Sequence, residues 1–181
     1  MILIALGANL PHPDLGPAPA VFNAAVEELQ SHGLLLVKRS DIYDNAAVGP
    51  GEQPDYSNAA IAMTGSNDAP YLLKLLLDIE QRLGRERQER WGPRVVDLDL
   101  IAVGTQIVPG PDSWADLSED SDTDPKQSLI LPHPRAHHRS FVLKPLMDVA
   151  PDWQHPVLNK SVGDLLSQLN DVHPLFQRPW E

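Results

Sequence analysis

The sequence predicts an α+β fold of the ferredoxin-like kind, a βαββαβ core in which helices pack on an antiparallel sheet. Three observations predict it: apolar runs of strand length bounded by turn residues, two amphipathic segments with helical spacing, and the order in which they alternate. At 181 residues the chain is long enough for one domain, 1–181, with a core that needs no disulfide or structural metal.

Ile2 to Leu6 is a short apolar run closed by Gly7, which suits a buried first strand. Pro11, Pro13, Pro17 and Pro19 bar a helix until about Ala20, after which Phe22, Ala25, Val26 and Leu29 recur at helical spacing as far as Gly33. Leu34 to Tyr43 reads as one second strand and Tyr56 to Thr64 as the third, with a Gly49-Pro50-Gly51 turn between them. Asn67 or Asp68 caps the next helix and Pro70 sits in its first turn. Leu72, Leu73, Leu76, Ile79 and Leu83 form its stripe, and Gly84 ends it. Val95 to Val103 is the clearest strand, rich in aliphatic residues. Leu129 to Leu131, Phe141 to Leu146 and an amphipathic segment near Val162 to Leu169 complete the domain.

The composition narrows the function. Hydrophobic residues at 42% and charged residues at 22% exclude a disordered chain. The lack of cysteine excludes disulfides and zinc-thiolate sites and fits a cytoplasmic location. The apolar start has no basic leader, is too short to span a bilayer and runs into prolines, so it reads as a strand and not as a signal. A net charge of -11 opposes binding to nucleic acid or anionic membranes. Residues 109–127 carry six acids against Lys126 alone and read as an acidic surface insertion that adds nothing to the core. Deleting Asp112 to Asp124 is therefore expected to leave fold and turnover largely unchanged.

Along the clearest strand the even positions Val96, Leu98, Leu100 and Ala102 are apolar and face the core, so Asp97 and Asp99 share the other face. They stand about 6.6 Å apart along the strand at ~3.3 Å per residue, a spacing that lets two carboxylates converge on ions bridging a polyphosphate. Two carboxylates facing water are the plainer explanation. Their mutual repulsion favours a cation, and hard oxygen ligands favour magnesium over zinc. Just before them Arg82, Arg85, Arg87, Arg90 and Arg94 supply five of the chain's nine arginines. Arginine suits bidentate phosphate recognition, although pairing with Glu80, Glu86 and Glu89 at a solvated helix end accounts for some of them. Trp91 before Gly92-Pro93 fits packing on the core or stacking on a heterocycle. Gly7-Ala8-Asn9 lacks the remainder of any phosphate-binding glycine motif. Magnesium-dependent phosphoryl or pyrophosphoryl transfer from ATP is the function these parts support.

Taken in order, LGANL, GEQPDYSNA, IEQRLGR, RWGPRVVDLDLI and LPHPRAHHRSFVLKPL resemble the 6-hydroxymethyl-7,8-dihydropterin pyrophosphokinase family of folate biosynthesis, over roughly residues 1–153. The resemblance implies transfer of pyrophosphate from ATP to the pterin hydroxymethyl oxygen with release of AMP. By that similarity Asp97 and Asp99 hold two magnesium ions, one also activating the attacking hydroxyl. Arg94 meets phosphate, Trp91 closes over the substrates, Arg85 and Arg87 belong to a mobile loop, and Glu80 lies at the nucleotide. Tyr56 stacks on the pterin, Asn58 bonds its edge and Phe141 covers its other face, with Asn45 and Val48 beside it. His133 and Arg139 meet the ATP phosphates or ribose, and the backbone at Leu100 reads adenine. The implied partners are ATP and the dihydropterin, with no nucleic acid and no membrane, for a monomer.

The sequence departs from the family pattern at several points. Asp44-Asn45-Ala46 stands where the family has Ser or Thr and Pro, and the basic loop carries Gln88 where relatives often add a cation, with an unusually long acidic insertion after Val108. Two rival readings use the same residues. A two-metal nuclease or nucleotidyltransferase would act on polynucleotide, against the net charge. A non-catalytic ferredoxin-like module would use the acids and arginines as a surface salt network.

Overall fold

A computed structural model describes residues 1–46, 54–84, 94–120, 122–169 and 174–180. The expected turn at 49–51 lies outside them. Six strands form one sheet: β1 (Ile2–Ala8), β2 (Leu35–Arg39), β3 (Ile42–Asn45), β4 (Tyr56–Thr64), β5 (Asp97–Val103) and β6 (Phe176–Arg178). Their order is β5-β1-β4-β3-β6, with β2 also pairing β4, and every pairing is antiparallel. Helices α1 (Ala18–Ser31) and α2 (Ala69–Arg82) follow β1 and β4, which is the ferredoxin-like order expected.

The expected helices form, with small shifts. Helix α1 begins at Ala18, earlier than expected, because a proline in the first turn gives up an N–H that has no intrahelical acceptor there. Asp68 is the cap of α2 and accepts from the Tyr71 N–H at 3.0 Å. Gly84 closes it with φ +79, a value disfavoured for residues with a Cβ.

Two strand expectations need correction. The run from Leu34 to Tyr43 is two strands, divided at Ser40. There the Ser40 N–H donates to the Ala60 carbonyl at 2.9 Å and the Ser40 hydroxyl accepts from the Ala60 N–H at 2.9 Å, so a side chain takes the place of a ladder carbonyl. The clearest strand starts at Asp97, not Val95, and its alternation holds only to Leu100. An irregularity in the β1 pairing between Leu3 and Ile4 shifts the register, and Ala102 then faces the opposite side from Leu100.

The central strands β1 and β4 are buried on both faces, whereas β2 and β6 are largely exposed. Ile2, Ile4, Leu6, Ala59, Ile61, Met63, Leu98 and Leu100 meet α1 and α2 on the first face. Leu3, Ala5, Ala60 and Ala62 meet helices α4 (Ser140–Val149) and α5 (Val162–Ser167) on the second. The alanines on that face are small, so α4 packs closely over β4 and β1, and the Tyr43 hydroxyl ties it to the sheet by donating to Asp148 at 2.8 Å. The expectation that Tyr56 to Thr64 is a strand therefore holds, and its apolar run reflects burial on both sides.

The acidic insertion is not passive. Residues Pro111–Glu119 form α3, and Trp114 on it is 1% exposed, with its indole N–H donating to the Pro132 carbonyl at 2.6 Å. Its ring lies 4.9 Å from that of His155 and 5.5 Å from that of His137. The polar composition of the segment describes the outer side of α3 only. At the far edge of the sheet, β6 pairs with β3. Arg178 reaches both carboxylate oxygens of Asp44, at 2.5 and 3.2 Å, and the Ser57 hydroxyl at 3.1 Å. The departure at Asp44 thus coincides with a bond that holds the C-terminal strand.

Two outcomes follow. Trp114→Ala should lower unfolding stability by about 3 kcal/mol, within the ~3–5 kcal/mol range for emptying a buried aromatic site, read from urea unfolding curves. Burial pulls His155 down to about 4, and burial with neighbouring His138 pulls His137 down to about 3. Both bind protons more weakly folded than unfolded, so stability is full above about pH 6.5 and falls as pH drops toward 4. The thermal midpoint should show that slope, and His155→Asn, which removes one titrating ring, should flatten it.

Candidate active site

The site is built at one end of the second sheet face, beyond the reach of α4. Strand pairing puts Asn58 on β4, Gly7 on β1 and Asp97 on β5 in one row. Gly7 carries no side chain, and a Cβ added to it would meet the Asn58 Oδ1 and Asp97 Cβ at 3.8 Å each. The row is therefore a trough, with an amide on one wall and a carboxylate on the other. In the next row Asp99 pairs with Ala5, again a small residue, so Asp97 and Asp99 share one face as expected. Their side chains are 19% and 20% exposed.

The amide wall is fixed by hydrogen bonds. The Asn58 side-chain N–H donates to the Tyr43 carbonyl at 3.2 Å and to the Asn45 Oδ1 at 2.6 Å, and Asn45 donates to the Ala46 carbonyl at 2.7 Å. With its nitrogen engaged, Asn58 leaves its oxygen facing Gly7. Tyr56 stands in the same region. Burial raises its hydroxyl above the usual tyrosine range, against the nearby Arg94 cation and with the nearby Asp97 anion.

Cations surround the carboxylate wall. Arg94 Nη1 donates to Asp97 Oδ2 at 2.5 Å. Arg139, just ahead of α4, lies in the field of Asp99 and Asp97, and its guanidinium sits 5.7 Å from the Phe141 ring centroid. Burial lowers the proton affinity of Arg139 and the Asp99 charge opposes that. Lys126, from the acidic insertion, reaches Asp97 Oδ1, Asp99 Oδ1 at 3.3 Å and Glu80 Oε1 at 2.5 Å. Glu80, on α2, is 2% exposed and also accepts from the Leu98 N–H at 2.6 Å. It satisfies a backbone donor on β5, the edge strand.

His133 is 3% exposed. Its Nδ1 accepts from the Arg135 N–H at 3.1 Å, which leaves the ring proton on Nε2, 4.0 Å from Asp99 Oδ2. Burial drives it down to about 4 despite the Asp99 charge, so at neutral pH it is an uncharged donor. A small pocket beside β5 is lined by Leu73, Asp99, Leu100, Pro125, Lys126, Leu129, Ile130 and His133.

Of the residues expected at a site, Asp97, Asp99, Arg94, Tyr56, Asn58, Asn45, Phe141, Glu80, Leu100, His133 and Arg139 are described, and they gather around this trough and pocket. Arg85, Arg87, Trp91 and Val48 lie outside the described residues. Lys126, in the sequence a lone cation in an acidic run, and Asn9 also stand at the site. Asn9 Oδ1 accepts from the Arg94 N–H at 2.6 Å, the Asn9 and Leu10 N–H groups donate to the Arg94 carbonyl at 2.9 and 3.1 Å, and its amide reaches the Pro54 carbonyl at 3.5 Å. It clamps Arg94 to the end of β1. In the sequence its only mark is a polar residue directly after an apolar strand.

Comparison with known proteins points to one family. The family model described as 7,8-dihydro-6-hydroxymethylpterin-pyrophosphokinase matches residues 3–151. A 2-amino-4-hydroxy-6-hydroxymethyldihydropteridine pyrophosphokinase of Synechocystis is 37% identical over 169 residues, covering 93% of this chain and 75% of its own. One of Haemophilus influenzae is 32% identical over 168 residues, covering 93% and 92%. The crystal structure of wild-type Plasmodium falciparum HPPK-DHPS with STZ-DHP superposes with a TM-score of 0.63 at 14% identity, over 92% of this chain and 42% of that longer one. At that identity it supports the fold alone.

The His133 ring should titrate near 4, well under the ordinary histidine range, with its neutral form protonated on Nε2. A ¹⁵N-detected histidine titration by NMR reads both. A midpoint above 6 would mean that the ring is not held in this dry position.

Proposed function

This chain belongs to the 7,8-dihydro-6-hydroxymethylpterin-pyrophosphokinase family, and from that premise we propose how its own side chains carry the reaction. The reaction is that of an ATP-dependent diphosphotransferase of folate biosynthesis: the pyrophosphoryl group of ATP passes to the 6-hydroxymethyl oxygen of the dihydropterin, and AMP is released. Its substrates are small molecules. Among the described residues no helix is long and apolar enough to cross a membrane.

In this reading the amide wall of the trough receives the pterin. Asn58, oriented by Asn45, bonds the edge of the heterocycle, and Tyr56 and Phe141 offer aromatic surfaces to its faces. The attacking oxygen belongs to the substrate, so no side-chain nucleophile is needed. The nucleotide lies toward the β5 edge, with Leu100 and the pocket beside it at the base. Arg94, Arg139 and neutral His133 serve as donors to the phosphates or ribose. The observation that carries this is the row through Gly7, because it sets a hydrogen-bonding amide and a carboxylate pair on opposite walls of one channel.

Asp97 and Asp99 fit magnesium. They are hard oxygen donors on one strand face, and the contact of an ammonium group with both supports a place for a cation there. Two ions are part of the same proposal. Magnesium at these carboxylates supplies neutralisation of charge on the ATP phosphates and polarisation of the attacking hydroxyl. The carboxylates hold that charge in place, Asn9 holds Arg94 beside it, and Glu80 keeps the β5 edge ordered. A cytoplasmic setting belongs to the proposal too, supported by the absence of cysteine.

Asp97→Asn and Asp99→Asn should each lower pterin-dependent AMP release by roughly 10³-fold or more, with far-UV circular dichroism unchanged. Asn9→Ala should lower kcat with a smaller effect on the pterin KM, because it frees Arg94 without touching the heterocycle. Full turnover in Asp97→Asn, or AMP release independent of pterin, would refute the assignment.

A further inference from the structure

We infer that Lys126 is a resident counter-ion for the catalytic carboxylates, holding Asp97, Asp99 and Glu80 together when no nucleotide is bound and competing with the divalent metal for the two aspartates. This rests on the reading of Asp97 and Asp99 as metal ligands.

The ammonium group of Lys126 contacts all three carboxylates, and its side chain is only 16% exposed. It reaches both sides of the edge strand at once, since Glu80 belongs to α2 on the first face and the aspartates point to the second. It is the only cation in residues 109–127, so no neighbour in that segment replaces it. The backbone presents it deliberately. Asp124 accepts from the Lys126 N–H at 3.0 Å with its side chain and from the Gln127 and Ser128 N–H groups at 3.1 Å each with its carbonyl, while Arg135 holds the Thr123 carbonyl at 2.7 Å. Pro125, Lys126, Leu129 and Ile130 then form one wall of the pocket next to Leu100.

A metal ion and an ammonium group cannot share the same Asp97 oxygen, because two cations at contact distance repel strongly in a partly buried site. Entry of the ion therefore requires the lysine to leave. Its unbranched stem makes that a matter of side-chain rotation, with Glu80 still bonded to Leu98 after it goes. Until then the lysine keeps two like charges in the geometry that the metal needs, at the cost of weaker metal binding to the nucleotide-free enzyme.

The test is Mn²⁺ binding to the full chain without nucleotide, followed by electron paramagnetic resonance, for wild type, Lys126→Gln and Asp97→Asn. Lys126→Gln should bind about ten-fold more tightly, since removing one adjacent unit charge is worth at least a decade in such a site. Equal or weaker binding by Lys126→Gln overturns the inference. Asp97→Asn should lose the site; if it binds as wild type does, the metal-ligand reading itself fails, separately from the role of the lysine. A measurement on wild type guards against a misfolded variant: acylation of Lys126, read by peptide mass spectrometry, should speed up about ten-fold at saturating Mn²⁺. An unchanged rate there also overturns the inference.

Discussion

Three carboxylates meet at the free side of one edge strand, and the rest of the structure is arranged to make that tolerable. Asp97 and Asp99 project from β5, and Glu80 comes in from α2, buried to 2% exposure. Unscreened, such a cluster would repel itself apart. It is held by ion pairs from two separate parts of the chain, Arg94 just ahead of β5 and Lys126 from the insertion, within the field of Arg139 at the start of α4. Because these supports are distant in sequence, the carboxylate cluster adds to the bonds that already join the insertion to the segment ahead of α4, such as Trp114 to Pro132 and Arg135 to Thr123.

The trough owes its existence to what the sheet leaves out. Ala5, Ala60 and Ala62 let α4 sit close to the second face, which is where that face is dry. Further along, the same face carries Asn58, Gly7 and Asp97, and the covering helix has not yet begun. A floor without a side chain at Gly7, between an amide wall and a carboxylate wall, leaves an opening in a face that is otherwise packed.

Most of the fold was legible because periodicity reports burial, and burial decides β1, α1, β4, α2 and β5. The break at Ser40 was not legible, since the residues on both sides keep strand character and only a hydroxyl bonded to distant Ala60 divides them. Trp114 was hidden for a different reason: a single large apolar residue in an acidic run leaves the average composition unchanged, yet one face of a short helix is all it needs to reach the core. At the site, Asp97 and Asp99 were readable from alternation, and Tyr56, Asn58 and His133 from motif resemblance. Lys126 and Asn9 act through contacts 29 and 85 positions away, and no local pattern encodes those.

The bond between Arg178 and Asp44 closes a span of 134 positions. Closing so long a loop costs chain entropy, which the charged contact and the β3–β6 ladder offset. Asp44 pairs with Ser57 next to the Asn45 and Asn58 amides, so the Arg178 bonds to Asp44 and Ser57 brace the strands that carry the amide wall. Fastening β6 at the outer edge thus stiffens the end of the trough that the two amides line.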